Sequence, residues 1–325
     1  MKCLIVQPIH EQGLAMLRTA GIACATPASP SMADVAQAIA DCDAVITRNA
    51  GLDARAIEAA TRLRVIGNHG AGTNMIDLAA AERLGIPVVS TPGANAHSVA
   101  ELALSMMMAL VKRTVAFDHA VRNGNWNIRY EPGLRELSGL TLGIVGFGQI
   151  GRLLARMAVG GFGMAVRVHS PSVPPGDIAA AGCVAVDSLA ALVGGVDILS
   201  LHRPSRPGAG PLLDDALLSS MKPGAILINT ARGGLVDDAA LARHLASGRL
   251  GGAGLDVFAH EPPPTDDPLL HMPQVVLAPH AGGSTEEALA RTACAVAGQV
   301  IDALQGRRPA HLVTPGVWEH RRGQG

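Results

Sequence analysis

Three segments late in the chain carry side chains suited to acid–base and anion chemistry. Arg232 stands in Ile226-Leu227-Ile228-Asn229-Thr230-Ala231-Arg232-Gly233-Gly234. Asp256 and Glu261 stand in Gly254-Leu255-Asp256-Val257-Phe258-Ala259-His260-Glu261-Pro262, and His280 in Leu277-Ala278-Pro279-His280-Ala281-Gly282-Gly283. The apolar runs Ile226–Asn229, Gly254–Val257 and Val275–Leu277 are expected to be strands. Each segment then delivers its polar group at or just past a strand's carboxyl end, the edge where open α/β sheets bind ligands. Reduction of a 2-oxo acid would use such a set. A guanidinium fork clamps a carboxylate and polarises a ketone. An imidazole, which titrates near neutrality, supplies a proton as the ketone becomes an alkoxide. A carboxylate beside an imidazole favours its protonated form and fixes its tautomer. Taken singly, Arg232 has an ordinary role as a surface arginine, Glu261 as a loop solubiliser and His280 as a satisfied histidine. Their shared placement is what gives the chemical reading weight.

That reading needs an electron carrier, and the segment Leu140 to Gly151 offers a place for one. An apolar run ends at Gly146, and Gly146, Gly148 and Gly151 form G-x-G-x-x-G, followed by the helix-forming Arg152-Leu153-Leu154-Ala155-Arg156-Met157. A strand turning sharply into a helix aims free N–H groups and a positive dipole end at one spot, which suits a pyrophosphate.

Around this loop, strand and helix patterns alternate. Upstream, strands are expected at Cys3–Val6, Ala44–Thr47, Val65–Ile66 and Val88–Val89. Helices are expected over Gln12–Ala20, Met32–Ala40, Asp53–Thr61 and Ile76–Leu84, and an almost wholly apolar one over Ser98–Arg113. Downstream, strands are expected at Val166–His169, Ala190–Val193, Ile198–Leu201 and the three segments above. Proline-rich breaks lie at Pro171–Pro175, Pro204–Pro211 and Pro262–Pro264, and a last helix runs from about Thr285 to Gln305. A βα series of this kind predicts an α/β fold with parallel sheets.

The chain has 325 residues, 48% hydrophobic and 16% charged, enough for two domains with substantial cores. A net charge of −1 and only 2% aromatic residues argue against nucleic-acid partners. The five cysteines are widely spaced, which fits a reducing compartment and excludes a zinc framework; no metal is expected. No run is long enough for a membrane helix and no signal peptide is expected, so a cytoplasmic location follows.

The order G-x-G-x-I-G, Asn229-Thr230-Ala231-Arg232-Gly233-Gly234, Gly254-Leu255-Asp256-Val257-Phe258 through Glu261-Pro262, and Pro279-His280-x-Gly282-Gly283 resembles that of D-2-hydroxyacid dehydrogenases. The resemblance extends upstream to Asn68-His69-Gly70-Ala71-Gly72-Thr73-Asn74-Met75-Ile76-Asp77 and Thr91-Pro92-Gly93-Ala94-Asn95. It implies two Rossmann-like domains. A flavodoxin-like catalytic domain comes from both chain ends (1–100 and 290–325), and a central dinucleotide-binding domain spans 101–289. It also implies Arg232, Glu261 and His280 as the catalytic trio, with His280 as proton donor. Coenzyme contacts are implied at Gly146, Gly148, Gln149, Ile150, Gly151, Ser170, His202, Thr230, Ala231, Asp256 and Gly282. Asp256 would orient the nicotinamide carboxamide. Substrate contacts are implied at Arg48, Gly70, Ala71 and Arg232, and a homodimer through Ser98–Arg113.

One position departs from the family pattern. The strand after the glycine loop usually ends in an acidic residue that takes the adenosine ribose hydroxyls; here Val166-Arg167-Val168-His169 is followed by Ser170-Pro171-Ser172. Without that carboxylate, NADP is expected to be accepted as well as NAD. Ser170 and Ser172 are candidate phosphate partners, and Arg167 is another if strand alternation turns it that way. Arg48 suggests a small polar 2-oxo acid, hydroxypyruvate or glyoxylate, although a surface arginine after a strand is an equal reading. Phosphoglycerate dehydrogenase-type activity is an alternative, with no appended regulatory domain expected beyond 325. Formate dehydrogenase is disfavoured, because it carries Gln where Glu261 stands. A dinucleotide-sensing, corepressor-like protein is the alternative from outside enzymology.

Overall fold

The computed structural model describes residues 1–205 and 208–323. Arg206 and Pro207, within the proline-rich Pro204–Pro211 stretch, lie outside the described residues, as do the last two residues of the tail. The chain divides into two compact units, Met1–Asn95 with Ser284–Gly325, and Ala96–Gly283.

The first unit runs β1 (Lys2–Ile5), α1 (Glu11–Thr19), β2 (Ala23–Ala25), α2 (Met32–Ile39), β3 (Ala44–Thr47), α3 (Ala54–Ala59), β4 (Val65–Asn68), α4 (Leu78–Arg83) and β5 (Val88–Val89). The second runs α5 (Ala96–Val111), α6 (Thr114–Arg122), β6 (Thr141–Val145), α7 (Gln149–Phe162), β7 (Ala165–His169), α8 (Pro175–Ala180), β8 (Val184–Ala185), α9 (Leu189–Gly194), β9 (Ile198–Leu201), α10 (Asp215–Ser220), β10 (Ala225–Asn229), α11 (Asp238–Ala246), β11 (Leu250–Leu255) and β12 (Val275–Leu277). The last helix, α12 (Glu286–Leu304), returns to the first unit.

Many helices begin where a short polar side chain takes an otherwise unpaired amide. Ser31, Asp53, Asp77, Ser188, Asp214, Asp237 and Thr285 each accept the N–H three residues on. This chemistry overturns one expectation. Ala190–Val193 is not a strand but the body of α9, because the Ser188 hydroxyl accepts the Ala191 N–H and starts a helical turn. A short apolar run does not distinguish the two states; the cap before it does.

The first unit's sheet has the order β2-β1-β3-β4-β5, and the second's β12-β11-β10-β9-β6-β7-β8, with every strand pair parallel. These are the flavodoxin-like order and the dinucleotide-fold order with one added strand. Central strands are covered on both faces, so β3, β9 and β10 are buried throughout and read as unbroken apolar runs. In the second unit the order reverses between β6 and β9, and the crevice outside their carboxyl ends is the binding position of such sheets.

Helix α5 packs on α7, β10, β11 and β12 within its own unit and buries Val99, Ala100, Ala103, Met106, Met107 and Val111 there. Its apolar character is therefore spent largely inside the chain. In the segment that follows it, Val115, Val121, Trp126, Tyr130 and Leu134 are exposed. Among the described residues, no helix is long and apolar enough to cross a membrane.

Candidate active site

The glycine loop joins β6 to α7. Gly146 has φ +94, and a Cβ there would lie 2.4 Å from the His202 carbonyl oxygen. A Cβ on Gly151 would lie 2.3 Å from the Gly146 carbonyl oxygen, so helix and loop approach too closely for a side chain. At Gly148 an added Cβ meets nothing, and this residue opens α7 with no side-chain cap. The backbone at Gly148 is thus open to approach, and the amides of Gln149 and Ile150 that follow it lie at the helix's positive end. Two further groups at the same sheet edge have a buried polar atom without a partner: His202 Nδ1, just past β9, and Thr230 Oγ1, just past β10. Burial holds the His202 ring neutral, with its pKa pulled down to about 4, and its Nε2 pairs with Ser200 Oγ at 2.8 Å. An open anion cradle and unsatisfied polar atoms on one edge fit a dinucleotide.

Past β10, the side chain of Asn229 fixes the turn that carries Arg232. Its amide donates to the Arg232 carbonyl at 2.9 Å and its carbonyl accepts the Ala231 N–H at 3.1 Å. Ala231 and Arg232 are half-buried. Burial lowers the pKa of the Arg232 guanidinium from its ordinary value, and the Glu261 carboxylate pulls the other way. Gly233 then passes against the Phe258–Ala259 backbone, where a Cβ would lie 1.9 Å from the Phe258 carbonyl carbon. The Arg232 turn and the Glu261 loop are therefore packed backbone to backbone.

Asp256 lies just beyond β11, which starts earlier and ends sooner than the expected Gly254–Val257. Its carboxylate is buried and accepts the Ala281 N–H at 2.6 Å and the Gly282 N–H at 2.9 Å. Burial raises its pKa, and these two amides oppose the rise. Its carbonyl accepts the His280 N–H at 2.8 Å, and Ser98 Oγ donates to the Gly282 carbonyl. Held this way, His280 adopts φ +53, a conformation uncommon outside glycine. Its Nδ1 meets Glu261 Oε2 at 2.7 Å, while Glu261 Oε1 accepts the Phe258 N–H at 3.1 Å. The two side chains are 34% and 35% exposed, reachable from outside yet partly shielded. The structure thus joins Glu261 to His280 and sets Arg232 within electrostatic reach of Glu261.

Ser170 is placed differently from what its hydroxyl suggested. It is buried, and its Oγ accepts the Phe147 N–H at 3.1 Å, so it braces the glycine loop. Arg167 points to the other end of the sheet: its guanidinium lies against Gly195, before β9. Ser172 is exposed.

In the first unit, Arg48 follows β3 and is half-buried, with Nη1 on the Pro8 carbonyl at 2.8 Å; burial lowers its pKa. Gly70 has φ +152, and Asn68 Nδ2 donates to the Gly70 and Gly72 carbonyls at 2.9 Å each, which shapes the loop bearing the exposed Ala71. His69 was not singled out from sequence. Its Nε2 is buried without a partner, and burial with the nearby Arg48 charge pulls its pKa down to about 4. Ser98 and Asn229 were also missed as supports. Asn229 carries a local signal, since Asn two residues before a turn commonly binds its own backbone, but Ser98 acts across 184 residues.

Comparison with known proteins adds an independent line. A sequence model described as "D-isomer specific 2-hydroxyacid dehydrogenase, NAD binding domain" matches residues 104–282, more than half of the chain. A glyoxylate reductase of Korarchaeum cryptofilum is 38% identical over 294 residues, covering 89% of this chain and 88% of that protein. A D-3-phosphoglycerate dehydrogenase of Mycobacterium tuberculosis is 40% identical over 270 residues, 83% of this chain and 50% of that one. The chain thus spans about half the length of the phosphoglycerate dehydrogenase. A crystal structure of a protein from Thermus thermophilus superposes with a TM-score of 0.88 at 34% identity, covering 96% of this chain and 100% of that one.

Proposed function

The chain belongs to the D-isomer specific 2-hydroxyacid dehydrogenase family, and from that premise we propose that it is an NAD(P)-dependent oxidoreductase acting on the CH–OH group of a small D-2-hydroxy acid. The observation that carries this reading is the 2.7 Å Glu261–His280 pair, with Arg232 beside it, on the sheet edge that also bears the glycine loop. Gly146, Gly148, Gln149, Ile150 and Gly151 would hold the pyrophosphate, with His202, Thr230, Ala231, Asp256 and Gly282 along the rest of the coenzyme. When bound, the nicotinamide exchanges hydride with C2 of the substrate. Arg232 clamps the substrate carboxylate and polarises the C2 oxygen. Glu261 accepts a hydrogen bond from His280 Nδ1, which leaves Nε2 to give a proton to that oxygen on reduction and to take it on oxidation. Asp256 has both oxygens committed to the 281–282 amides, so in this reading it sets the His280 loop as well as bordering the nicotinamide. Arg48, Gly70 and Ala71 of the first unit are further candidates for substrate contact, on the motif they share with the family.

Hydroxypyruvate or glyoxylate is the favoured substrate, in keeping with the glyoxylate reductase among the relatives. Phosphoglycerate oxidation is the second reading, supported by the mycobacterial relative and by the cationic Arg48. NADP acceptance is proposed because His169-Ser170-Pro171-Ser172 has no carboxylate to repel a 2′-phosphate. A homodimer belongs to the same reading. The apolar surface it would cover lies on Val115, Val121, Trp126, Tyr130 and Leu134 more than on α5. So does a cytoplasmic location, consistent with cysteines that are all free.

The test is a matrix of coenzyme against acid. NADH and NADPH are each combined with glyoxylate, hydroxypyruvate, pyruvate and 2-oxoglutarate, and NAD and NADP with D-3-phosphoglycerate. Highest kcat/KM for glyoxylate or hydroxypyruvate, with NADPH used at least comparably, is expected. A strong NADH preference would remove the NADP part, and highest activity on phosphoglycerate would select the second reading.

A further inference from the structure

The end of β7, where this fold usually carries a carboxylate, holds Ser170 instead. Its hydroxyl is already spent, because Ser170 Oγ accepts the Phe147 N–H at 3.1 Å. Arg167 lies at the other end of the sheet, its guanidinium against Gly195. The cation that does reach this corner is Arg152, in the first turn of α7. Its guanidinium carbon stands over the Phe147 ring, 4.7 Å from the centroid, and Phe147 is buried, so the ring is a fixed floor. Ser170, Phe147 and Arg152 are thus in unbroken contact from the strand end to the helix. We propose that Arg152 is the residue that recognises a 2′-phosphate on the adenosine ribose of the coenzyme, which makes it the determinant of NADP use.

Stacking on an aromatic ring uses the face of a guanidinium and leaves its N–H edge free, the edge that pairs with two phosphate oxygens at once. Arg152 also makes an ion pair with Asp177 Oδ2 at 3.7 Å, between side chains that are 43% and 60% exposed. A pair of that length in water is weak. A phosphate monoester, with close to two negative charges at neutral pH, competes for the guanidinium on better terms. Asp177 is then a like charge beside the ligand and tempers the preference. A ribose without the phosphate offers the guanidinium only neutral hydroxyls, so the contact separates NADP from NAD.

This assignment rests on the dehydrogenase reading, and binding measured without turnover separates the two. NADP and NAD are titrated calorimetrically, with no acid present, into wild type, Arg152→Ala, Asp177→Asn and Arg203→Ala, each as the full chain. Arg203 is the control. It follows His202 past β9, and its Cβ lies 3.1 Å from where a Cβ on Gly146 would stand, so it borders the same loop from the β9 side. Arg152→Ala should raise the Kd for NADP by about 10- to 100-fold, the scale of hydrogen bonds to a charged group. The Kd for NAD should change by less than about 3-fold, as for an exposed contact. Salt should weaken NADP more steeply than NAD in wild type, and the two dependences should converge in Arg152→Ala. Asp177→Asn should tighten NADP by about 2- to 5-fold, the scale of a surface charge pair. Equal weakening of both coenzymes by Arg152→Ala, as a loosened glycine loop would give, would overturn the proposal. So would an unchanged NADP affinity in that variant, or a loss confined to Arg203→Ala. If wild type binds NAD but not NADP, the proposal fails and the dehydrogenase reading stands. If it binds neither, the dehydrogenase reading fails and the proposal with it.

Discussion

Each unit ends its parallel sheet in loops at the carboxyl edge, and the two edges are built to different standards. On the seven-stranded sheet each group of the proposed reaction is tied down: the Arg232 turn by Asn229, the His280 loop by Asp256 and Ser98, His280 by Glu261, and Glu261 by the Phe258 amide. On the five-stranded sheet Arg48 is held at one nitrogen by the Pro8 carbonyl, and Ala71 and Gly72 are exposed. Groups that move protons or stabilise developing charge act best when preorganised. Groups that recognise a substituent need only complementarity. In the proposed reading the reaction belongs to the first edge and the choice of substrate to the second.

The largest effects should come from the seven-stranded edge. Arg232→Ala and His280→Ala should each lower kcat/KM for every acid by about 10²- to 10⁴-fold, the range for a lost oxyanion donor or general acid, while coenzyme titrations stay near wild type. Gly233→Ala should come next. Its Cβ must displace the Phe258 backbone, at about 1–3 kcal/mol of stability, so the melting temperature and turnover should fall together. Arg48→Gln should have a smaller and selective effect, a change of about 10-fold in the ranking of acids, the scale of one charged hydrogen bond, with glyoxylate least affected because it lacks a substituent. If Arg48→Gln abolishes turnover with all acids as His280→Ala does, the division of labour is wrong.

The smallest effects concern stability against pH, and His69 and Asp238 should differ in sign. His69 is neutral when folded, with a pKa near 4 against the ordinary 6.5, so the unfolded chain binds more protons between these values. Its contribution is present above the unfolded value and is lost as the pH falls toward 4, and His69→Leu should flatten that loss in a series of thermal melts. Asp238 runs the other way. Its folded pKa of about 6 exceeds the ordinary 3.8, so rising pH destabilises the fold through this group until it is fully ionised. Asp238→Asn should therefore melt higher than wild type above pH 6.

How far these edges are legible in sequence follows from range. The glycine loop and the segments bearing Arg232, Glu261 and His280 declare themselves locally, because glycine spacing and an apolar run before a polar turn both lie within a dozen residues. The short elements are harder. β2 and β8 are too brief for a period to register, and α9 looks like a strand until the Ser188 cap is weighed. Supports that act through space are hardest. Ser98 reaches Gly282 and Ser170 reaches Phe147; nothing in their neighbouring residues records those partners. The reaction class is thus written in local motifs, and substrate choice depends on contacts that only the fold reveals.

The most direct test of the central claim is the loss of nicotinamide absorbance with glyoxylate or hydroxypyruvate, measured side by side in wild type and His280→Ala. Oxidation of NADH or NADPH by the wild type, falling by at least about 100-fold in the variant while coenzyme binding persists, is the predicted result. A wild type that binds coenzyme yet oxidises none with any acid, or a variant as fast as the wild type, would contradict it.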